Sequence, residues 1–325
     1  PGFARLDHRE EGVEALGYVA EARRVGAALQ QRLKTLDGVD LLCPAVLESV
    51  TIAADAARAV IRQGDQTRTL SAALVVAADG AASPVRRQLG IDARRWDYGQ
   101  TAVIANVTPQ RPHRNVAYER FTAGGPLALL PMSDNRCALI LTVDNADAGR
   151  IAALDDAAFL ALLQERFGDR LGRFLRAGRR QAHPLFLMKS REHARPRLAV
   201  IGNAAHTLHP IAGQGFNLGI RDVAALAEVI ADARRAGADI GDYTVLRRYA
   251  DGRRWDQRRT IAFTDALARL FANPLPPVRL ARDLGLVAFD LCAPAKRLLA
   301  RQTLGLWGPL PRLALGLPLP AEPAP

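Results

Sequence analysis

The chain is poor in cysteine, lysine and aromatic residues. Its 325 residues include three cysteines, three lysines and 6% aromatic residues. Cys43, Cys137 and Cys292 are far apart and form no Cys-x-x-Cys pattern, which argues against structural zinc and against a disulfide framework. We therefore expect three reduced, buried thiols and no metal site, as is typical of a reducing compartment.

Long apolar runs are also absent. No uncharged apolar run reaches roughly 18 residues, the length that a membrane-spanning helix needs. The apolar stretch Leu304–Leu319 is interrupted by three prolines, Pro309, Pro311 and Pro318. No secretory signal is visible at the start, which has no methionine. We therefore expect a cytoplasmic protein that is soluble or lies peripherally on the inner face of the cytoplasmic membrane.

Basic residues exceed acidic ones, with 44 Lys and Arg against 33 Asp and Glu. Most of the excess lies between Arg234 and Arg312, which contain fifteen basic and seven acidic side chains. We find no nucleic-acid-binding motif and no pattern of stacking aromatics, so no nucleic-acid partner is expected. Two interpretations stay open: the arginines cover solvated helix faces, or they contact an anionic membrane or an acidic partner.

Hydrophobic periodicity predicts both helices and strands. Alternation between Asp97 and Asp144 predicts an antiparallel sheet with strands at Thr101–Val107, Val116–Phe121, Leu127–Met132 and Cys137–Val143. Helical spacing predicts helices at Glu21–Leu36, Asp155–Phe167 and Asp169–Arg176. A hairpin is expected at Val46–Ala54 and Ala57–Gln63, and mostly helix beyond Gly241.

The stretch from Val200 to Leu226 joins an apolar strand to a long helix through a glycine-rich loop. The strand ends at Gly202-Asn203, where an α/β sheet presents a ligand-binding turn. Gly213 and Gly215 allow close backbone approach because they have no Cβ. The following helix directs free N–H groups and its positive dipole end toward the loop. We therefore predict that an anion or an electron-rich ring binds there.

A second segment, Leu74–Arg87, also joins a strand to a helix through a short turn. The strand ends in Asp79-Gly80, and Ser83-Pro84 opens the helix, because serine is a good N-cap and proline suits the first helical position. Taken alone, Asp-Gly is a common turn dipeptide and predicts no more than a turn.

Together the two segments resemble the flavin motifs of the FAD-dependent aromatic monooxygenases of the para-hydroxybenzoate-hydroxylase-like superfamily. The matching residues of the second motif are Gly202, Asn203, Ala204, Ala205, His206, Pro210, Gly213, Gln214, Gly215, Asn217, Gly219 and Asp222. Trp96–Ala102, Tyr118–Met132 and Tyr249–Asp265 are similar to the ubiquinone-biosynthesis hydroxylases of that superfamily. One departure is Asn203, where most members have Asp, although an amide can still accept and donate a hydrogen bond.

The resemblance implies an α/β fold: a Rossmann-like FAD-binding domain with an inserted antiparallel β-sheet substrate domain and a helical carboxyl-terminal region. The expected parts are 1–96 and 182–240 for FAD binding, 97–181 for the substrate domain and 241–325 for the helical region. No Gly-x-Gly-x-x-Gly occurs, although such a fold uses this turn for the FAD pyrophosphate. We therefore expect that the first βαβ unit is missing and that this fragment is inactive.

The site residues follow from the same resemblance. The residues expected to bind the cofactor are Asp79, Gly80, Arg86, Gly202, Asn203, Pro210, Gly213, Gln214, Gly215, Phe216 and Asn217. Asp79 and either Arg86 or Arg87 are expected at ribose hydroxyls and phosphates. No residue stands out as the catalytic base; His206 and His209 are weak candidates, and the family motif favours a structural role for His206.

The implied reaction is aromatic hydroxylation. NADH or NADPH reduces FAD, and O₂ then forms a flavin hydroperoxide that attacks a polyprenyl phenol. Gly-Asn-Ala-Ala is similar to the pattern in hydroxylases of 2-polyprenyl-6-methoxyphenol, which makes this phenol the expected substrate. The open alternatives are another FAD-dependent phenol hydroxylase and a non-catalytic subunit of a quinone-biosynthesis complex; a halogenase lacks support because its Trp-rich motif is absent. For the tail around Trp307 three alternatives stay open: it contacts a membrane, it packs on its own domain, or it packs on another subunit.

Overall fold

A computed structural model describes residues 2–122, 124–273 and 275–319. The chain divides into two compact units. The first comprises Pro1–Thr35, Asp97–Phe186 and Ala266–Ala300, and the second comprises Leu36–Trp96, Leu187–Asp265 and Arg301–Pro325. The four-part assignment of FAD-binding, substrate and helical regions stays a prediction about function.

The described residues form both helices and strands, and the chain ends in consecutive helices. The helices are α1 (Ala22–Leu33), α2 (Pro84–Gln88), α3 (Asn145–Ala152), α4 (Asp156–Phe167), α5 (Gln214–Arg235), α6 (Tyr243–Ala272), α7 (Pro276–Leu291) and α8 (Ala293–Thr303). The strands are β1 (Val46–Ile52), β2 (Ala57–Gln63), β3 (Gln66–Ala72), β4 (Val75–Ala77), β5 (Ala93–Pro109), β6 (Tyr118–Thr122), β7 (Gly125–Pro131), β8 (Cys137–Asp144), β9 (Phe174–Ala177), β10 (Gln181–Ser190), β11 (Ala194–Arg195), β12 (Leu198–Val200) and β13 (His206–Thr207).

The first unit is built on an antiparallel sheet with strand order β5-β8-β7-β6. Alternate residues of β7 and β8 point into one core, and Leu127 pairs with Leu141 in the register. Helix α4 packs against this core through Phe159, Leu163 and Phe167, which recur every four residues. The predicted fold class, with its antiparallel sheet and helical carboxyl-terminal region, is confirmed.

The predicted helix at Asp169–Arg176 is wrong. Gly172 has a φ of +68°, which ends helical geometry, and the following residues form β9. Strand β9 pairs with β5, with Val107 opposite Ala177, and Phe174 is buried in the same core. Long-range pairing therefore overrides the local helical pattern.

The prediction of three buried thiols is correct only for Cys137. Its burial raises the pKa of the thiol to about 11. Cys43 and Cys292 are exposed, and all three cysteines are free. Cys43 lies in the loop before β1, next to Pro44, and Cys292 follows the last residue of α7, so neither is part of a buried strand or helix face.

The second unit contains an antiparallel sheet, β1-β2-β3, and a small sheet of order β11-β12-β4. In the small sheet β12 and β4 are parallel, with Val200 opposite Ala77. All three residues of β12 are buried, as expected of a strand covered on both faces. The Tyr249 hydroxyl of α6 donates to the Val200 carbonyl at 3.0 Å and fixes α6 against this strand. Across the described ranges, no helix is both long and apolar enough to cross a membrane.

Candidate FAD site

The two motif turns lie side by side. Strand β4 leads into Asp79-Gly80 and the parallel strand β12 leads into Gly202. Pairing continues past the strands, because Ile201 N donates to the Ala77 carbonyl at 3.0 Å. Both turns therefore extend from the carboxyl ends of neighbouring parallel strands, where ligands bind in open α/β sheets.

The turn after β12 is a tight backbone turn with one exposed side chain, Asn203. Gly202 has a φ of +57° and begins a single 3₁₀ turn, Gly202–Ala204. Its N–H donates to the Asp222 carboxylate at 3.2 Å. Asn203 is exposed, and its side-chain amide makes no hydrogen bond within the described part of the chain. The amide that replaces the usual family Asp is thus available to a ligand.

Helix α5 begins without a side-chain cap. Ala212 and Gly213 both adopt left-handed conformations, with φ of +58° and +60°, and Gln214 starts the helix. No side chain caps this end and the first turn contains no acidic residue. The first backbone N–H groups have no partner within the helix, so this end carries uncompensated positive charge.

The glycines leave space in front of α5. A Cβ added to Gly202, Gly213 or Gly215 would meet no protein atom within 4 Å. Positive φ explains glycine at the first two positions, but Gly215 has no such conformation. Glycine inside a helix costs about 1 kcal/mol relative to alanine. Packing against the described residues therefore does not account for a glycine at position 215.

The other predicted residues of this loop differ in exposure. Gln214 is buried, and its Nε2 donates to the carbonyls of Ala212 and Thr303, both at 3.1 Å. Its side chain therefore ties α5 to the end of α8, and only its backbone remains for a ligand. Phe216 is 69% exposed. Pro210 and Asn217 are exposed as well.

The turn after β4 is held by caps. The Asp79 carboxylate accepts from Val85 N and the Ser83 hydroxyl accepts from Arg86 N, each at 3.0 Å. The predicted N-cap Ser83 and first-turn Pro84 of α2 are thereby confirmed. Gly80 has a φ of +85°, so the turn itself requires glycine.

Arg86 is a buried guanidinium beside a cavity. It lines a cavity of about 400 Å³ together with Arg87 and Ile91. Its Nη2 donates to the Ala81 carbonyl, while its Nε has no partner among the described residues. Burial lowers the pKa of Arg86 from its ordinary value. An unsatisfied buried donor is costly, so an anionic acceptor in this cavity would be stabilising.

The two histidine candidates are both buried. His206 Nε2 lies 2.7 Å from Asp222 Oδ2, and because a carboxylate only accepts, Nε2 carries the hydrogen. His206 Nδ1 has no hydrogen-bond partner within the described ranges. His209 Nδ1 accepts from Ile211 N at 3.3 Å, and burial lowers the pKa of His209 to about 4. His209 is therefore neutral at neutral pH.

The sequence did not reveal the partners of Asp222. This carboxylate also accepts from Arg253 Nε at 2.9 Å and from Gln257 Nε2 at 3.0 Å. Burial alone would raise the pKa of Asp222, but the His206 hydrogen bond and the Arg253 charge lower it to about 2. Arg253 is 2% exposed, so the interpretation of the arginines as solvated decoration is wrong for this residue. The available signal was the four-residue spacing of Tyr249, Arg253 and Gln257.

Comparisons with known proteins identify the family of the chain. The family model described as FAD binding domain matches residues 19–263. Ubiquinone hydroxylase UbiL of Rhodospirillum rubrum is 42% identical over 94% of this chain and 71% of its own length. The 3-demethoxyubiquinol 3-hydroxylase of Escherichia coli is 35% identical over 93% of this chain and 76% of its own length. The p-nitrophenol 4-monooxygenase PnpA of Pseudomonas putida has the same fold, with a TM-score of 0.71 at 19% identity over 87% of this chain and 72% of its own.

The fold and the site define the class of FAD-dependent aromatic monooxygenases. Within that class the chain belongs to the FAD binding domain family and is a member of its ubiquinone-biosynthesis hydroxylases. FAD is the cofactor of this family.

Proposed function

We propose that the protein hydroxylates the ring of a polyprenyl phenol in ubiquinone biosynthesis, with FAD, O₂ and NADH or NADPH. The observation that carries the proposal is the start of α5. Its uncapped N–H groups, the open space before Gly215 and the free Asn203 amide together form a surface that suits an anionic, ring-bearing cofactor. The identities with the two ubiquinone-pathway hydroxylases support the choice of reaction.

The residues fit FAD in distinct ways. The backbone of Gly213, Gly215 and Phe216 would bind the electron-rich part of the cofactor, and the positive end of α5 would stabilise negative charge there. Asn203 would hydrogen-bond a cofactor hydroxyl. Bound FAD would supply the electron transfer from the nicotinamide nucleotide and the activation of O₂.

The turn after β4 would bind the nucleotide parts. Arg86 and Arg87 would pair with phosphate oxygens, because a guanidinium fork matches that geometry. Asp79 and Gly80 would lie at the edge of the same turn, where Asp79 also holds α2 in place through Val85 N. This assignment uses the unsatisfied Arg86 Nε and the adjacent cavity.

Neither histidine suits the role of general base. With a pKa of about 4, His209 is a poor proton acceptor for a phenol at neutral pH. His206 donates Nε2–H to Asp222, and its other ring nitrogen, Nδ1, is buried away from the surface that a phenol would reach. We therefore assign both to the structure of the loop, and the ionisation of the phenol to a group elsewhere.

The first substrate to test is a short-chain 2-prenyl-6-methoxyphenol, because of the Gly202-Asn203-Ala204-Ala205 pattern. A 3-demethoxyubiquinol analogue is the second, because a 35% identical relative carries that name. Full-length protein is incubated with FAD, NAD(P)H and each phenol, and the products are analysed by mass spectrometry. A gain of one oxygen supports hydroxylation. Binding of a quinone-pathway protein without flavin or turnover would instead support the non-catalytic subunit.

Peripheral membrane contact is part of the proposal, since a polyprenyl phenol is nearly insoluble in water. Helix α7 exposes Leu280, Leu284, Val287 and Leu291, which recur at helical spacing. Two of its charged side chains are engaged elsewhere: Arg282 donates to the Phe271 carbonyl and Asp290 accepts from Arg5 N. In the tail around Trp307, Arg259 donates to the Trp307 carbonyl and lies over its ring at 4.9 Å, so the tail contacts its own unit there.

A further inference from the structure

Asp222 lies at the centre of a buried polar network that joins the Gly202 turn to α5 and α6. One carboxylate oxygen, Oδ2, accepts from Gly202 N at 3.2 Å and from His206 Nε2 at 2.7 Å. The other, Oδ1, accepts from Arg253 Nε at 2.9 Å and from Gln257 Nε2 at 3.0 Å. Asp222 is completely buried. Four donors satisfy the roughly four acceptor positions of a carboxylate.

A second carboxylate extends the network. Asp256 lies 2.6 Å from Arg253 Nη2 and accepts from Arg221 Nε at 2.8 Å. Arg221 and Asp222 are neighbours on α5, whereas Arg253 and Asp256 are one turn apart on α6. Two carboxylates and two guanidinium groups therefore cross-link the helices with balanced charge, which is the condition under which buried charges are tolerated.

The arrangement does more than join two helices. Apolar side chains of the same volume would pack α5 against α6 at least as well, because buried ion pairs seldom add net stability. What apolar residues could not provide is an acceptor for Gly202 N and for His206 Nε2. The fixed acceptor orients the turn from which Asn203 extends, as outer hydrogen-bond partners orient the groups that touch a ligand.

We propose that Arg253 and Gln257 are positioning residues. Through Asp222 they hold the Gly202 turn and His206 in the geometry that receives FAD, and they set the affinity for FAD without touching it. This inference rests on the proposed function, because it takes FAD as the ligand of the turn.

The test compares Gln257→Met with Thr264→Val in full-length protein. Thr264 is a buried polar residue on the same helix, and its hydroxyl donates, among the described residues, to the carbonyls of Thr260 and Ile261, so it is a matched control. Gln257→Met keeps the volume and removes one donor to Asp222. We expect its dissociation constant for FAD to rise roughly tenfold, since losing a hydrogen bond to a buried charge has an effect of that order.

Two further readouts separate positioning from general stability. Amide hydrogen exchange at residues 202–207 should accelerate in FAD-free Gln257→Met, and the circular dichroism of its bound flavin should change; Thr264→Val should alter neither. Arg253→Lys, which retains the charge but cannot contact both carboxylates in the same way, should give an intermediate FAD affinity. Wild-type affinity and wild-type exchange in Gln257→Met would overturn the inference alone. Failure of the unmutated protein to bind FAD would overturn the proposed function together with it.

Discussion

At the scale of single residues, burial lowers the pKa of two histidines. His193 and His209 both have a pKa lowered to about 4, chiefly by burial. In an unfolded chain a histidine has a pKa of about 6.5. Because the folded-state pKa is the lower one, both residues contribute stability that is fully present above pH 6.5 and is lost as the pH falls toward 4.

We therefore predict that His209→Leu flattens the fall in the free energy of unfolding between pH 6.5 and pH 4. Between pH 6.5 and pH 4 the free energy of unfolding of His209→Leu should fall by roughly 2 kcal/mol less than that of the wild type. Urea unfolding at a series of pH values measures it. His183→Gln, at an exposed histidine, is the control variant. An unchanged slope in His209→Leu would show that this histidine is not buried neutral.

Asp222 is a buried acid whose pKa is also lowered, by its hydrogen-bond partners rather than by burial. Its pKa, about 2 in the folded protein, lies below the ordinary value of 3.8. The stability it contributes is present above pH 4 and is lost as the pH falls toward 2. The difference in unfolding free energy between wild type and Asp222→Asn should therefore shrink across that window. A difference that stays constant from pH 5 to pH 2.5 would contradict the low pKa.

At the scale of elements, a substitution at the start of α5 should change protein stability and FAD affinity in opposite directions. Gly215→Ala places a methyl group where no protein atom lies within 4 Å. Alanine is the better helix former, so the FAD-free protein should gain about 0.5–1 kcal/mol of stability. The same methyl group would occupy space assigned to the cofactor, and FAD affinity should fall at least tenfold.

The control for Gly215→Ala is Gly252→Ala in α6, where the added Cβ also meets nothing within 4 Å. It should raise stability and leave FAD affinity unchanged. Chemical denaturation without FAD and fluorescence titration with FAD measure the two quantities. If Gly215→Ala binds FAD as well as Gly252→Ala does, the cofactor does not lie against the first turn of α5.

Elements with strong local signals could be predicted from the sequence. The start of α2 followed from Ser83-Pro84, which occupy the N-cap and the first turn of the helix. Strand β9 could not be predicted, because its pairing with β5 overrides a helical pattern. The role of Arg253 was likewise hidden, because it depends on contact with Asp222, 31 residues away and on another helix. Motif turns were visible in the sequence, but the network that holds them was not.

At the scale of the whole molecule, membrane contact can be tested on α7. The double variant Leu280→Gln/Leu284→Gln replaces two exposed leucines of its apolar face. Each leucine transferred into lipid contributes on the order of 1 kcal/mol, so binding to vesicles that contain anionic lipid should fall at least tenfold. Co-sedimentation measures the binding. Leu175 is an exposed leucine on β9, and Leu175→Gln is the matched control.

We propose that the protein is an FAD-dependent enzyme that hydroxylates a polyprenyl phenol. The most direct measurement is made on purified full-length protein: its visible absorption spectrum, followed by mass spectrometry of a 2-prenyl-6-methoxyphenol after incubation with NAD(P)H in ¹⁸O₂. We predict a flavin spectrum and a product heavier by one oxygen atom derived from ¹⁸O₂. If the protein is colourless, takes up no FAD and leaves the phenol unchanged, it is not such a hydroxylase.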